Sequence, residues 1–223
     1  MKISALIPAK GFANAKQRLS SMLGAAERAL LAEAMLGDVI RQTLAARGLE
    51  AVYVVTGDAR VREIAASLGA EVIMEREEKG ETDAVTFALS DLKRRGAEAA
   101  LVLPADLPLL RAGDLELVIA QAARHDGLSP FALLVPSHDR MGTNALLLAP
   151  PDVIGLRFGH DSFSYHVSQV AARGLPVRVL DNERIALDID EPQDLERLLQ
   201  SGGPGASYAA AVEMAAARRA GEP

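Results

Sequence analysis

The sequence predicts an α/β protein, a three-layer α/β/α sandwich on a mostly parallel sheet. Three observations carry that prediction. Short apolar runs alternate with stretches of helical period, the pattern of βαβ units whose parallel strands require crossover helices. The run Ala100 to Leu103 is wholly apolar, as a strand buried on both faces must be. In the second half the alternation loosens: two apolar runs separated by a polar loop read as an antiparallel insertion, and the regular units of a closed (β/α)₈ barrel are not supplied.

In chain order, Ile3 to Ile7 forms the first strand and Pro8 stops it. Ala9 to Leu19 is a loop. Ala25 to about Ala46 is helical, with Leu31, Met35, Leu36, Ile40 and Leu44 at helical spacing and Gly48 as its C-cap. Ala51 to Thr56 is β-branched and extended. Gly57-Asp58 turns the chain into a helix that ends at Leu68 before Gly69. Glu71 to Met74 is a third strand, and Glu75 to Glu81 a charged loop. Thr82 or Asp83 then caps a helix to about Arg95. After the fourth strand, Asp114 to Arg124 is helical. Phe131 to Val135 and Ala145 to Leu148 are strands, and Pro150-Pro151 breaks the run. A helix reaches Arg173. Val177 to Leu180 and Ile185 to Ile189 are the last strands, and Pro192 to Leu199 is a final helix. Residues 1–200 thus form one domain. Residues 201–223 are read as a flexible linker (Ser201 to Gly205), a loosely docked alanine-rich helix (Ala209 to Arg219) and a disordered end (Gly221 to Pro223).

Composition removes several classes of function. The chain of 223 residues has no cysteine, which excludes disulfides, thiolate catalysis and cysteine-ligated metals. A net charge of −6 argues against general affinity for nucleic acid. No segment is apolar for long enough to span a membrane, and Met1 to Pro8 is too short an apolar run for a signal peptide. A cytoplasmic protein is expected.

The chemistry concentrates at the carboxyl ends of strands, where ligands bind in open α/β sheets. After the first strand, Lys10, Lys16 and Arg18 gather in an otherwise acidic chain, without a dinucleotide or P-loop glycine pattern. Three cations suit a polyphosphate, although a solvated loop face is the plainer alternative. Asp106 stands between Pro104 and Pro108 after the fourth strand, as a ligand or as a turn cap. In Ile185 to Ile189, alternate residues share a face, so Leu187 and Ile189 turn inward while Asp188 and Asp190 point together. Two carboxylates aimed at one spot repel unless a cation lies between them, and Mg²⁺ is the natural hard cation for oxygen ligands. Asp190 has a second reading, as cap of the last helix with Pro192 in its first turn and Gln193 completing a capping box. None of His125, His138, His160 and His166 has metal-ligand or triad spacing. Such a site suits phosphoryl or nucleotidyl transfer, where positioning and charge neutralisation do most of the catalysis.

Six elements occur in one order: Pro8-Ala9-Lys10, Ala15-Lys16-Gln17-Arg18-Leu19, Pro104-Ala105-Asp106-Leu107-Pro108, Gly142-Thr143-Asn144-Ala145-Leu146, Phe158-Gly159 with Ser162-Phe163, and Leu187-Asp188-Ile189-Asp190 with Pro192 and Asp194-Leu195. Over roughly residues 1–200 the chain resembles the phospholactate / phosphoenolpyruvate guanylyltransferases of coenzyme F420 biosynthesis, which share the nucleotide-diphospho-sugar transferase-like fold. The resemblance implies a nucleotidyltransferase domain over residues 1–200. It implies GTP, Mg²⁺ and a three-carbon phosphorylated acid (phosphoenolpyruvate, 2-phospho-L-lactate or 3-phosphoglycerate) as partners, with a homodimer admissible. Lys10, Lys16 and Arg18 would then meet the GTP phosphates, with Pro8, Ala9 and Pro104 beside the nucleotide. Asp106, Asp188 and Asp190 would hold the metal, with Lys16 and Asp106 catalytic, and Thr143, Gly159 and Ser162 would bind the acid's carboxylate. Where relatives carry a Leu-Asn-Ala run, this chain has Glu81-Thr82-Asp83-Ala84, and Asp83 is the candidate reader of the guanine N1–H and N2–H₂ edge. The alternatives are a nucleotidyltransferase of a sugar phosphate or of the molybdenum cofactor, and a non-catalytic nucleotide-binding subunit.

Overall fold

Among the described residues, seven strands form one sheet in the order β3-β2-β1-β4-β6-β5-β7. They are β1 (Ile3–Pro8), β2 (Ala51–Thr56), β3 (Glu71–Met74), β4 (Ala99–Val102), β5 (Phe131–Pro136), β6 (Thr143–Ala149) and β7 (Val177–Val179). The helices are α1 (Ala25–Ala45), α2 (Ala59–Leu68), α3 (Glu81–Arg94), α4 (Ala112–Ala123), α5 (Ser162–Ala172), the single turn α6 (Glu183–Ala186), α7 (Pro192–Ser201) and α8 (Ala206–Gly221). The computed structural model describes residues 1–75, 79–124 and 130–221; residues 76–78 of the expected charged loop, His125 and the end of the tail at 222–223 lie outside them.

The chain lays β2 and β3 on one side of β1, and α3 then carries it across to β4 on the other. The switch point therefore lies between β1 and β4, and their carboxyl ends open a crevice there. Pairing is parallel for β1 with β2 and β4, for β2 with β3 and for β5 with β7. β6 is antiparallel to both β4 and β5, which is the insertion expected from the sequence.

Alternate residues of the central strands feed two cores, as the all-apolar runs require. Ala5, Ile7, Leu101 and Leu103 pack under Leu36 and Ile40 of α1, Val61 of α2 and Val118 of α4. Leu6, Ala100 and Val102 pack on the opposite face under Val85 and Leu89 of α3 and Val170 of α5. A third core lies on the outer side of α1, where Leu19 and Leu23 meet Leu31, Met35, Leu187, Ile189, Leu195, Leu198 and Met214. Leu44, by contrast, faces solvent.

Several expectations need correction. Residues 185–189 are not a strand: α6 ends at Ala186, and the following residues run extended without pairing in the sheet. Their burial still alternates, because Leu187 and Ile189 insert into the third core. The helix expected to be capped by Thr82 or Asp83 begins at Glu81 and is capped by Gly80, whose φ of 115° favours glycine. The last-helix cap is not Asp190 with Gln193: Asp194 Oδ2 accepts from the backbone N–H groups of Glu191 (2.8 Å) and Asp190 (3.2 Å). The first helix ends at Ala45, and Gly48 serves the turn beyond it.

The C-terminal segment is firmly docked rather than loosely tethered. The carboxylate of Asp38 on α1 accepts from the N–H of Ala206 (3.1 Å), the N–H of Ser207 (2.8 Å) and the Ser207 hydroxyl (2.7 Å), satisfying orphan donors at the start of α8. Ala211 and Met214 of α8 are buried in the third core. Asp38→Ala is expected to destabilise the protein by about 1–3 kcal/mol, since it removes a cap and strands a buried hydroxyl. Denaturant unfolding of the variant measures this, and an unchanged midpoint would refute the docking role.

Candidate active site

The crevice is a cleft of about 1170 Å³ bounded by the carboxyl ends of β1 and β4 and the amino end of β6. Its first wall is the loop after β1. Gly11 leaves room there for the Asp58 carboxylate that caps α2, since a Cβ would lie 2.5 Å from its Oδ2 and displace it. Beyond it the loop winds through two short 3₁₀ turns, Phe12–Asn14 and Gln17–Ser21, with Lys16 between them in a left-handed conformation (φ 51°). A lysine there is strained by about 1–2 kcal/mol. The buried Arg28 of α1 holds the loop by donating to the carbonyls of Ala15 (3.3 Å) and Leu23 (2.8 Å).

That conformation sends the Lys16 ammonium into an acidic nest. It donates to Asp106 Oδ2 and to Asp190 Oδ1 (3.0 Å). Burial opposes its charge, yet the two carboxylates outweigh burial and hold the ammonium pKa above the usual lysine value. Asp106 is carried out of β4 into a turn whose carbonyl accepts from the Ile189 N–H (3.3 Å), which fastens the two acidic segments to each other. Asp188 accepts from Asn144 Nδ2 (2.9 Å), and the same amide donates to the carbonyls of Ile185 (3.0 Å) and Ala186 (3.2 Å). Burial first, and then the neighbouring Asp106 and Asp190 charges, raise the Asp188 carboxyl to about 6. Glu81, in the first turn of α3, is raised to about 7 by burial and by Asp106, with Lys10 opposing. Arg18 stays largely exposed, 3.7 Å from Glu191 and 4.0 Å from Asp190.

The far wall is built from β6 and α5. The Thr143 N–H donates to Ser162 Oγ (3.0 Å), and Thr143 Oγ1 lies 3.0 Å from Nδ1 of the buried His166. Gly159, at φ 98°, lets the chain double back so that its carbonyl accepts from the Ser162 N–H (3.2 Å) at the start of α5. Burial keeps the His166 ring neutral, with Arg157 adding to the effect and a pKa lowered to about 4. The N–H groups of Ser162, Phe163 and Tyr165 are taken by the carbonyls of Gly159, Met141 and Asp161, so what this wall offers a ligand is the Thr143 and Ser162 hydroxyls, backed by a neutral imidazole.

Of the residues singled out in the sequence, Pro8, Ala9, Lys10, Lys16, Arg18, Pro104, Asp106, Thr143, Gly159, Ser162, Asp188 and Asp190 all line this one cleft. Asp83 does not. It lies exposed on α3, while Glu81 and Ala84 of the same turn face the cleft. Sequence reasoning missed Glu81, Asn144 and His166. Asn144 lay within a quoted motif as a polar residue among apolar ones, whereas the facing of Glu81 depends on where α3 begins.

A divalent cation is compatible with the acid wall. Asp106 Oδ1 is buried with no hydrogen-bond partner among the described residues, and Asp188 is destabilised as a carboxylate by burial and then by its acidic neighbours. The expected three-acid cage is nevertheless not preformed: among the described residues no three imidazoles or carboxylates are placed to hold one metal ion. Lys16 sits between Asp106 and Asp190 instead.

Sheet order and helix placement define a mixed, mostly parallel α/β sandwich with its cleft at the switch point. A solved structure assigned to the nucleotide-diphospho-sugar transferases, from Desulfovibrio desulfuricans G20, superposes with a TM-score of 0.77 over 98% of each chain at 22% identity, which speaks for the fold alone. The family described as Guanylyl transferase CofC like matches residues 3–211, and the chain belongs to it. It is 39% identical to the phosphoenolpyruvate guanylyltransferase of Rubrobacter xylanophilus over 91% of this chain and 96% of that one. Identity to the 2-phospho-L-lactate guanylyltransferase of Methanothermobacter thermautotrophicus is 34%, over 91% and 86% of the two chains.

The raised Asp188 carboxyl sets a sign for stability. The folded chain holds this proton up to about pH 6 while the unfolded chain loses it near 4, so its contribution is complete below pH 4 and lost as pH rises through 6. Glu81 acts in the same direction up to about pH 7, whereas the lowered His166 acts oppositely between about 4 and 6.5. Asp188→Asn isolates one component. In chelator-treated protein its stability advantage over the wild type should grow from pH 4 to 7, reaching about 2 kcal/mol. Urea unfolding across that range measures the difference, and a difference independent of pH would contradict the assignment.

Proposed function

We propose that this chain transfers GMP from GTP to a small phosphorylated carboxylic acid (phosphoenolpyruvate, 2-phospho-L-lactate or 3-phosphoglycerate), releasing pyrophosphate in coenzyme F420 biosynthesis. One observation carries the reading: a single cleft joins a cation-and-carboxylate wall at β1 and β4 to a hydroxyl-lined wall at the start of α5. The first fits a triphosphate and the second an organic carboxylate. Membership of a guanylyl transferase family supports the choice of GTP.

Lys10, Lys16 and Arg18 neutralise the triphosphate oxygens, with Pro8, Ala9 and Pro104 beside the nucleotide. Thr143, Ser162 and the Gly159 turn hold the acceptor's carboxylate and thereby aim its phosphate at the α-phosphorus. An oxygen of that phosphate forms the new bond to the α-phosphorus as the bond to the bridging oxygen of the β-phosphate breaks, and pyrophosphate departs with the electron pair. A general base is unnecessary, because a phosphate monoester with a second pKa of about 6 is mostly dianionic at neutral pH. Asp106 and Asp188, with Asp190 alongside, would hold Mg²⁺, which supplies neutralisation of the charge that builds on the phosphates.

Purified protein should release pyrophosphate from GTP, and not from ATP, with at least one of the three acids. Chelation should stop turnover, and Mg²⁺ or Mn²⁺ should restore it. Asp106→Asn should lower kcat by about 10²–10³ or more while the fold persists, as removal of one charge-stabilising group does. Near-normal turnover in that variant, or none in the wild type with any of the acids, sinks the reading.

A further inference from the structure

The His166 imidazole has a role that sequence spacing could not suggest. It is fully buried on α5, with the rings of Phe158 (5.3 Å) and Tyr165 (5.9 Å) packed edgewise on it, so the ring is fixed. Both nitrogens are engaged. The backbone N–H of Arg157 donates to Nε2 (3.3 Å), and an amide nitrogen can only donate, so Nε2 presents its lone pair. In a neutral ring the proton then belongs to Nδ1, which lies 3.0 Å from Thr143 Oγ1. Burial, which lowers the imidazole pKa to about 4, keeps the ring neutral near pH 7.

We propose that His166 is a positioning residue for the acceptor: its Nδ1–H donates to Thr143 Oγ1 and so turns the Thr143 hydroxyl proton toward the acceptor's carboxylate. With the opposite tautomer Thr143 would donate to the ring and aim lone pairs at the ligand, a repulsive arrangement for an anion. Ser162 works to the same end, because its oxygen already accepts from the Thr143 N–H (3.0 Å), leaving its own proton for the ligand. With one lone pair of each hydroxyl already engaged and its proton left for the cleft, the pair favours an anionic carboxylate over a cationic group at that place. The inference rests on the reading of Thr143 and Ser162 as the carboxylate subsite.

Two experiments test it. In ¹⁵N-histidine NMR of the whole chain near pH 7, without substrate, His166 should show a protonated Nδ1 and an unprotonated Nε2. The reverse tautomer, or an imidazolium, overturns the proposal whether or not the enzyme turns over. In steady-state kinetics, His166→Leu should raise the acceptor KM about tenfold, equivalent to about 1.4 kcal/mol. The GTP KM and kcat should change less than about twofold, within the spread of neutral substitutions. His166→Asn, whose amide can donate from the Nδ1 position, should restore most of the affinity. With a phosphate ester that lacks a carboxylate, wild type and His166→Leu should have the same KM. An unchanged acceptor KM in a folded His166→Leu, or an equal loss for every substrate, overturns the proposal. Should His166→Leu fail to fold, His166→Asn and the NMR measurement still decide. If no phosphorylated acid is a substrate, the guanylyltransferase reading fails by itself, and the tautomer judges the hydrogen bond.

Discussion

The packing of Leu187 and Ile189 against Leu19 and α1 is the constraint on which the site depends. Residues 187–190 belong to no strand and receive little direction from the sheet. What fixes them is apolar burial on alternate residues, supplemented by the Ile189 N–H bonded to the Asp106 carbonyl. Burying a leucine or isoleucine side chain contributes roughly 1.5–3 kcal/mol. Two such anchors offset the cost of bringing Asp188 and Asp190 toward Asp106. Leu19, three residues beyond Lys16, enters the same core and draws the basic loop in with it. Acids and lysine meet because their apolar neighbours share one core.

Within that arrangement charge is balanced locally and incompletely. Lys16 answers Asp106 and Asp190, but Asp188 has the Asn144 amide and its own backbone N–H without a cation, and is pushed toward its protonated form. Glu81 is pushed the same way. Asp194 is the counterexample: it is consumed by the backbone at the head of α7, which leaves the Asp190 carboxylate free to face the cleft. A buried group with its hydrogen bonds complete contributes stability, whereas one left short is better placed to bind something.

Much of this was legible in the sequence for a definite reason. Strands covered on both faces must be apolar throughout, so β1, β2, β4 and β5 announce themselves, and Asp58 and Gly69 mark the ends of α2 by their capping chemistry. The same rule misled at residues 185–189, since period-two burial looks alike whether the chain pairs with a strand or merely rests on a core. The start of α3 was hidden because Gly80 offers no side-chain signal, while Thr82, the more obvious cap, instead accepts from the Phe158 N–H (3.0 Å). That shift of the helix start separates Glu81 in the cleft from Asp83 on the surface. Asn144 stood out as a polar residue in an apolar strand, but its role and that of His166 were hidden because their partners lie 41 to 44 and 23 residues away, as far as Asp188 and Thr143.

Chain direction gives the cleft its polarity. β1 and β4 arrive carboxyl end first, so the residues they deliver follow the strands and come from loops free to carry acids and lysines. β6 runs the other way, and its first residues, Thr143 and Asn144, sit at the same edge. A strand that begins at a site presents N–H groups and fixed side chains there, held by the sheet from the first residue onward. One half of the cleft is consequently a charged cradle built from loops anchored on the third core, and the other a wall of hydroxyls whose first residues are set by the sheet. A two-substrate enzyme can use that division: the heavily charged partner meets side chains carried by loops, while the small partner is measured against residues registered by a strand.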